Sequence, residues 1–320
     1  VPQNWTKSGV KTLSLFFCGT LGNTGQLYVK INGTKVAYYG DASNLALTGW
    51  QPWIIDLASS GASLQNVTKL AVGIDGNGAA GKLYFDDILL YPYSSQLVIP
   101  TEPPLGGLVG HWKFDDGTGT VARDSSGQGN DGTFQGSPKW VTGKLNGAME
   151  FDGDDDMLKL KSAFTTIGSS SNTLCGWFKV PLAGTGALGA TERVGIVMGN
   201  GPEVPNTSWE LHSVGQMRLY WNGGEINRYG TTDLRDNVWH YLAWVRDKAT
   251  NANYMFIDGR LEATIETLGK DVTFVATHFI GGDNRANPPN FHGLMDDVRV
   301  YDRALSQGEI AWLAGRTKPF

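Results

Sequence analysis

A chain of 320 residues with a net charge of −5 and only 18% charged residues is long enough for two domains, each with its own core. Its 43 glycines and frequent aromatics suit an all-β protein with many tight turns and exclude a coiled coil or a disordered chain. No basic run points to nucleic acid, and no apolar run approaches the ~20 residues of a membrane span. Val1-Pro2-Gln3-Asn4 reads as a processed or truncated start, with no signal peptide. Cys18 and Cys175 sit in separate apolar runs and are expected to be buried free thiols, so cysteine does not settle the compartment. Asn4, Asn32, Asn66 and Asn206 open N-x-S/T triplets and serve as surface markers.

The first unit is expected over residues 1–92, with strands at Thr12–Phe17, Gln26–Ile31, Thr34–Tyr39, Trp50–Leu57, Lys69–Ile74 and Lys82–Leu90. Asn32-Gly33 between two of them is a hairpin signal. Residues 93–106, interrupted by Ser94, Ser95, Pro100, Pro103 and Pro104, read as a linker. The second unit is expected over residues 107–320. Its clearest stretch is Trp239-His240-Tyr241-Leu242-Ala243-Trp244-Val245-Arg246-Asp247, a polar turn, then Asn253-Tyr254-Met255-Phe256-Ile257-Asp258-Gly259-Arg260. Two aromatic β-prone runs around a short connector predict a hairpin, and Asp258-Gly259 turns the chain into a further strand, Leu261–Ile265. Both faces of the first run are apolar, which predicts a strand covered on both sides, with Trp239 and Trp244 in the core. Ser306-Gln307-Gly308-Glu309 forms a capping box ahead of one short C-terminal helix.

Several ordered motifs in the second unit carry a resemblance. They are Leu108-Val109-Gly110-His111-Trp112-Lys113-Phe114-Asp115-Asp116, Asp124 to Thr133, Gly143 to Asp156, the hairpin above, and Phe291 to Leu305 with its Met295-Asp296-Asp297-Val298. Together they resemble a laminin-G-like jelly roll of the concanavalin A-like lectin/glucanase superfamily, over about two thirds of the chain. Leu83 to Pro92, with Asp86-Asp87-Ile88, resembles the last strand of a carbohydrate-binding-type jelly roll, while Trp5 to Thr20 is similar to the middle of such a domain. The resemblance implies two β-sandwiches in tandem, the first lacking its opening strands. Unpaired edges would follow there, to be covered by the second domain, by rearrangement or by a strand from another chain.

The resemblance also implies structural calcium. Ca²⁺ takes six to eight oxygens. Asp124, Gln128, Asn130 and Asp131 offer side-chain oxygens in a Gly-rich loop, and the family comparison brings this loop to Asp296 or Asp297 of the last strand. Asp86 is the corresponding ligand implied for the first unit. Asp152, Asp154, Asp155 and Asp156 read as an exposed, solvated acidic turn. The five histidines show no paired spacing for a transition metal.

A glycosidase needs two positioned carboxylates. Glu150, Asp152 and Asp154 alternate, but Gly153 interrupts the run and the third acid is Asp, where laminarinase-type relatives read Glu-x-Asp-x-Glu. Catalysis is therefore not expected. Sugar recognition instead uses aromatic faces and planar polar groups. The candidates are Trp209, Arg218, Tyr220, Arg228 and Tyr229, with a second polar rim at Asp283 and Asn284. Alternation puts Arg218 and Tyr220 on one face of a strand and Met217, Leu219 and Trp221 on the other. The first expectation is a secreted or cell-surface, non-catalytic glycan-binding protein with structural calcium, in the extracellular bacterial context that the resemblance implies. The second is an adhesive or structural building block whose incomplete first domain pairs with another subunit in a homo-oligomer or filament.

Overall fold

Strict alternation in Thr12–Cys18 places Leu13, Leu15 and Phe17 on one face of a strand, and all three are fully buried. The same period-two logic builds the rest of the protein. The computed structural model describes residues 2–7, 9–92, 98–161, 169–182, 196–199, 208–211, 215–221, 226–266, 271, 278–282 and 290–317. They form two separately cored units, Val1–Ile99 and Pro100–Thr317.

The first unit contains β1 (Thr12–Cys18), β2 (Thr24–Ile31), β3 (Thr34–Ala37), β4 (Gln51–Asp56), β5 (Leu70–Ala80) and β6 (Tyr84–Tyr91). Two three-stranded antiparallel sheets result, in the orders β4-β1-β6 and β3-β2-β5. Leu13, Leu15, Phe17, Trp53 and Ile55 of one sheet meet Leu27, Val29 and Ile31 of the other in the core. Asn32-Gly33 makes the predicted turn between β2 and β3, with Asn32 at φ 52° and Gly33 at φ 99°.

The second unit contains β7 (Leu108–Trp112), β8 (Val121–Ala122), β9 (Gly132–Gln135), β10 (Lys139–Thr142), β11 (Gly147–Asp152), β12 (Met157–Leu160), β13 (Asn172–Lys179) and β14 (Ile196–Gly199). It continues with β15 (Ser208–Leu211), β16 (Met217–Trp221), β17 (Ile226–Tyr229), β18 (Trp239–Asp247), β19 (Ala252–Ile257), β20 (Arg260–Glu266), β21 (Phe279–Ile280), β22 (His292–Tyr301) and the helix α1 (Gln307–Leu313). One sheet runs β10-β11-β22-β13-β18-β19-β20, with β7 also on β22; the other runs β17-β16-β15-β14-β21-β12-β9-β8. The two sheets enclose a core that includes Trp112, Phe151, Phe178, Trp209, Trp244, Phe291 and Met295. The protein is all-β, a pair of sandwiches with one short α-helix among the described residues.

The β18–β19 hairpin and the turn into β20 form as predicted. β18 is covered on both faces: Leu242 and Trp244 join the core, while Tyr241, Ala243 and Val245 pack in a second cluster with Ile310 and Leu313 of α1. Trp239 is partly buried beside that second cluster. The capping box holds, with Ser306 accepting from the Glu309 amide and Glu309 accepting from the Ser306 amide. Both cysteines are free. Cys175 is buried, and burial pushes its thiol up to about 12. Cys18 departs from expectation: it lies at the end of β1, only half-buried.

Candidate functional site

The β15–β17 ladder brings distant residues onto one face. Glu210 stands opposite Arg218, and Arg218 opposite Tyr229; in the next row Tyr220 stands opposite Asn227. The reverse face of these strands carries Trp209, Leu211, Met217, Leu219 and Ile226 into the core. The outward face is therefore polar and aromatic. Arg218 Nη1 donates to Glu210 Oε2 at 2.5 Å and its Nε donates to Asn227 Oδ1 at 2.9 Å. Its guanidinium carbon lies 5.0 Å from the Tyr220 ring centroid and 5.5 Å from that of Tyr229. Glu210 and Arg218 are buried, while Tyr229 is 40% exposed and Tyr220 half-buried. Trp244, from the facing sheet, donates its indole N–H to the Arg218 carbonyl and pins the strand. A buried, charge-assisted pair thus braces two accessible rings, a planar and pre-organised platform.

Of the predicted sugar contacts, Arg218, Tyr220 and Tyr229 meet on this face. Trp209 does not: it is fully buried on the opposite side, so its ring offers no stacking surface. Arg228 is exposed on the edge strand opposite Leu219, and its Nη1 donates to the Asn227 carbonyl. Asp283 and Asn284 lie outside the described residues. Glu210 and Asn227 went unnoticed in the sequence, because only the strand register places them beside Arg218.

The predicted calcium ligands make the following contacts. Both Asp124 carboxylate oxygens are engaged, by the amides of His111, Ser126 and Asn130 and by the Ser126 hydroxyl. Burial alone would raise its pKa, but these bonds outweigh it and lower it. Asn130 donates its side-chain N–H to Val109, and Gln128 is exposed. Asp297 accepts from His111 Nε2 at 2.6 Å and pairs with Arg299 at 2.9 Å. Despite burial, the His111 hydrogen bond and the Arg299 charge hold its pKa low. Asp86 lies exposed in the first unit, accepting the amide of Asp87. The Asp124 loop is thus tied together by backbone amides, and His111 links it to Asp297 of the last strand.

Asp296 differs from the rest. It is fully buried; Oδ2 accepts the Leu145 amide at 2.7 Å, while Oδ1 is buried with no hydrogen-bond partner. Burial pushes its pKa up to about 7, and the charges of Asp297 and Asp115 add to the push. A buried carboxylate oxygen without a donor fits a hard cation. Of the calcium ligands the sequence named, Asp296 is the one this observation supports, with Asp115 as a neighbour not foreseen.

The acidic turn also departs from expectation. Asp152 and Asp155 are exposed, but Asp156 is buried, accepting the amides of Ser137 and Asp152. Oxygens of Asp152, Asp155 and Asp156 lie within 4.8 Å of one another, the one acidic convergence of this kind among the described residues. Burial, with the charges of Asp152 and Asp155, raises the Asp156 pKa. β11 ends at Asp152, and Gly153 at φ 84° breaks the strand before Asp154, so the alternate acids do not share one continuous strand.

A laminin-G-type family model, described as the concanavalin A-like lectin/glucanases superfamily, matches residues 152–311, half of the chain. No curated protein sequence matches the chain. Among solved structures, the binding domain of Paraclostridial Mosquitocidal Protein 1 aligns with TM-score 0.52 and 15% identity, over 65% of this chain and 52% of that one. The receptor-binding domain of botulinum neurotoxin C/D mosaic serotype aligns with TM-score 0.51 and 12% identity, over 65% and 51%. The chain thus spans about half of each, and the likeness is one of fold. Domain 4 of AbnA, an extracellular arabinanase from Geobacillus stearothermophilus, in complex with arabinotriose, aligns with TM-score 0.49 and 21% identity over 65% of this chain and 98% of that domain. Among the described residues no helix is long and apolar enough to cross a membrane.

Proposed function

The chain belongs to the concanavalin A-like lectin/glucanase superfamily, and from that premise we propose that it is a non-catalytic, extracellular carbohydrate-binding protein. One observation carries the reading: Tyr220 and Tyr229 flank the buried Glu210–Arg218 pair on the outward face of β15–β17. A pyranose stacks its C–H face on the Tyr229 ring, and Asn227 beside it offers a planar amide to hydroxyls. The Glu210–Arg218 pair holds the guanidinium fixed between the rings, so they stay in place when the sugar arrives. Calcium is part of the proposal. Asp296, with Asp115, would hold the ion and be kept ionised by it; the cation's contribution there is structural. The broken alternation of Glu150, Asp152 and Asp154 supports a binding role over hydrolysis.

A glycan array probed with the full chain, with calcium and again with chelator, tests the reading. A defined polysaccharide should bind, and Tyr229→Ala, an exposed substitution, should weaken it roughly 5- to 30-fold, the cost of about 1–2 kcal/mol at a stacking contact. Binding that Tyr229→Ala leaves unchanged, or hydrolysis of the bound glycan that Glu150→Gln abolishes, would overturn it.

A further inference from the structure

The two units close with the same strand pair in the same register. In the first, Thr12, Leu13 and Ser14 of β1 face Tyr91, Leu90 and Leu89 of β6; the ladder then slips, and Phe16, Phe17 and Cys18 face Asp86, Phe85 and Tyr84. In the second, Thr173, Leu174 and Cys175 of β13 face Tyr301, Val300 and Arg299 of β22; after the same slip Trp177, Phe178 and Lys179 face Asp296, Met295 and Leu294. The second aspartate of each Asp-Asp pair sits at positive φ, Asp87 at 48° and Asp297 at 51°. β6 is therefore the counterpart of β22, position by position.

Their other sides differ. β22 is paired along its first half by β11 and along its second half by β7, with Val298 opposite Trp112 and Arg299 opposite His111. Among the described residues β6 has no strand on that side. Ile88 and Leu90 are 47% and 40% exposed, whereas their counterparts Val298 and Val300 are 0% and 1% exposed. The aspartates differ as well. Asp297 is paired with Arg299 on its own strand and hydrogen-bonded to His111 from β7. Leu89 replaces that arginine in β6, and exposed Asp87 has no cationic partner among the described residues.

We propose that β6 is an acceptor for an extended polypeptide strand from outside the two units, apolar and carrying a basic side chain that meets Asp87 as His111 meets Asp297. The occupant is of the β7 kind, Leu-Val-Gly-His-Trp, because β7 covers the equivalent positions of β22 and is itself already committed there. Main-chain bonds along Ile88–Leu90 would supply affinity, and Asp87 would fix register and direction. The proposal is independent of the glycan reading.

The probe is a labelled synthetic peptide of the Gly107–Phe114 sequence, titrated against the full chain. The expected result is saturable one-to-one binding that slows amide exchange in residues 84–91. Substituting Ala for the peptide's histidine, or Asp87→Asn in the chain (asparagine tolerates the positive φ), should weaken binding about tenfold. Ile88→Lys, at an exposed position, should abolish it while leaving the unfolding curve unchanged. No binding, or binding that Ile88→Lys does not affect, would overturn the proposal. So would a dimer of the chain that Ile88→Lys dissolves and the peptide does not displace, because β6 would then be the interface for a second copy.

Discussion

β6 and β22 share a register, a ladder slip and a positive-φ aspartate, yet one lies at the rim of a small sandwich and the other near the middle of a large one. The amino acids record the difference only weakly. Ile88-Leu89-Leu90 is more apolar than Val298-Arg299-Val300, but it is the half-open strand that carries the extra leucine. An apolar run reports that a strand can be covered, not whether its cover is present. The polar partners are more telling: where β22 has a neighbour, its Asp297 has a histidine from that neighbour.

The largest effect expected from this contrast is in stability. Val298→Lys buries a charge in a filled core and should cost on the order of 4 kcal/mol in the unfolding transition of the second unit. Ile88→Lys at the equivalent place should change the first unit by no more than ~0.5 kcal/mol. Denaturant unfolding followed by probes in each unit checks both, and equal costs would mean that the two strands are equally enclosed.

A smaller difference concerns pH. His240 faces Phe178 in the second unit, and Gln51 holds the corresponding place opposite Phe17 in the first. The Asp258 hydrogen bond, against partial burial and helped by Asp236, raises the His240 pKa to about 9. A pKa above the unfolded value of about 6.5 means that the stabilisation is complete below pH ~6.5 and is lost as pH rises through ~9. Allowing for the exposure of both carboxylates, the second unit should lose about 1–2 kcal/mol across that window. His240→Gln should flatten the slope, while the first unit shows no such dependence from Gln51. Melting temperatures of both transitions from pH 6 to 9.5 provide the measurement.

These contrasts also mark what the sequence made legible. Each of the first unit's strand candidates overlaps a strand of the structure, because period-two alternation and Asn-Gly turns are local signals. The hairpin at Trp239 and the Ser306 capping box were readable for the same reason. What pairs at a distance was not. Trp209 and Tyr229 look equally suited to a sugar in the sequence, and only the packing of two sheets sends one into the core and leaves the other outside. Glu210 acquires meaning only opposite Arg218. At Asp124 the sequence did not show which groups would reach the carboxylate: Gly- and Asn-rich loops supply amide donors as readily as they supply carbonyl ligands, and here amides of His111, Ser126 and Asn130 donate to it. That Asp296, and not Asp297, keeps an unpartnered oxygen depends on which aspartate faces His111 and Arg299.

Amide hydrogen exchange of the full chain, resolved over residues 84–91 and 292–301, tests the contrast between the two closing strands most directly. The account predicts that β6 exchanges at least ~100-fold faster than β22, since its outer side has no ladder among the described residues. Equal protection of the two strands in the isolated chain would contradict it, and would show that β6 is already covered.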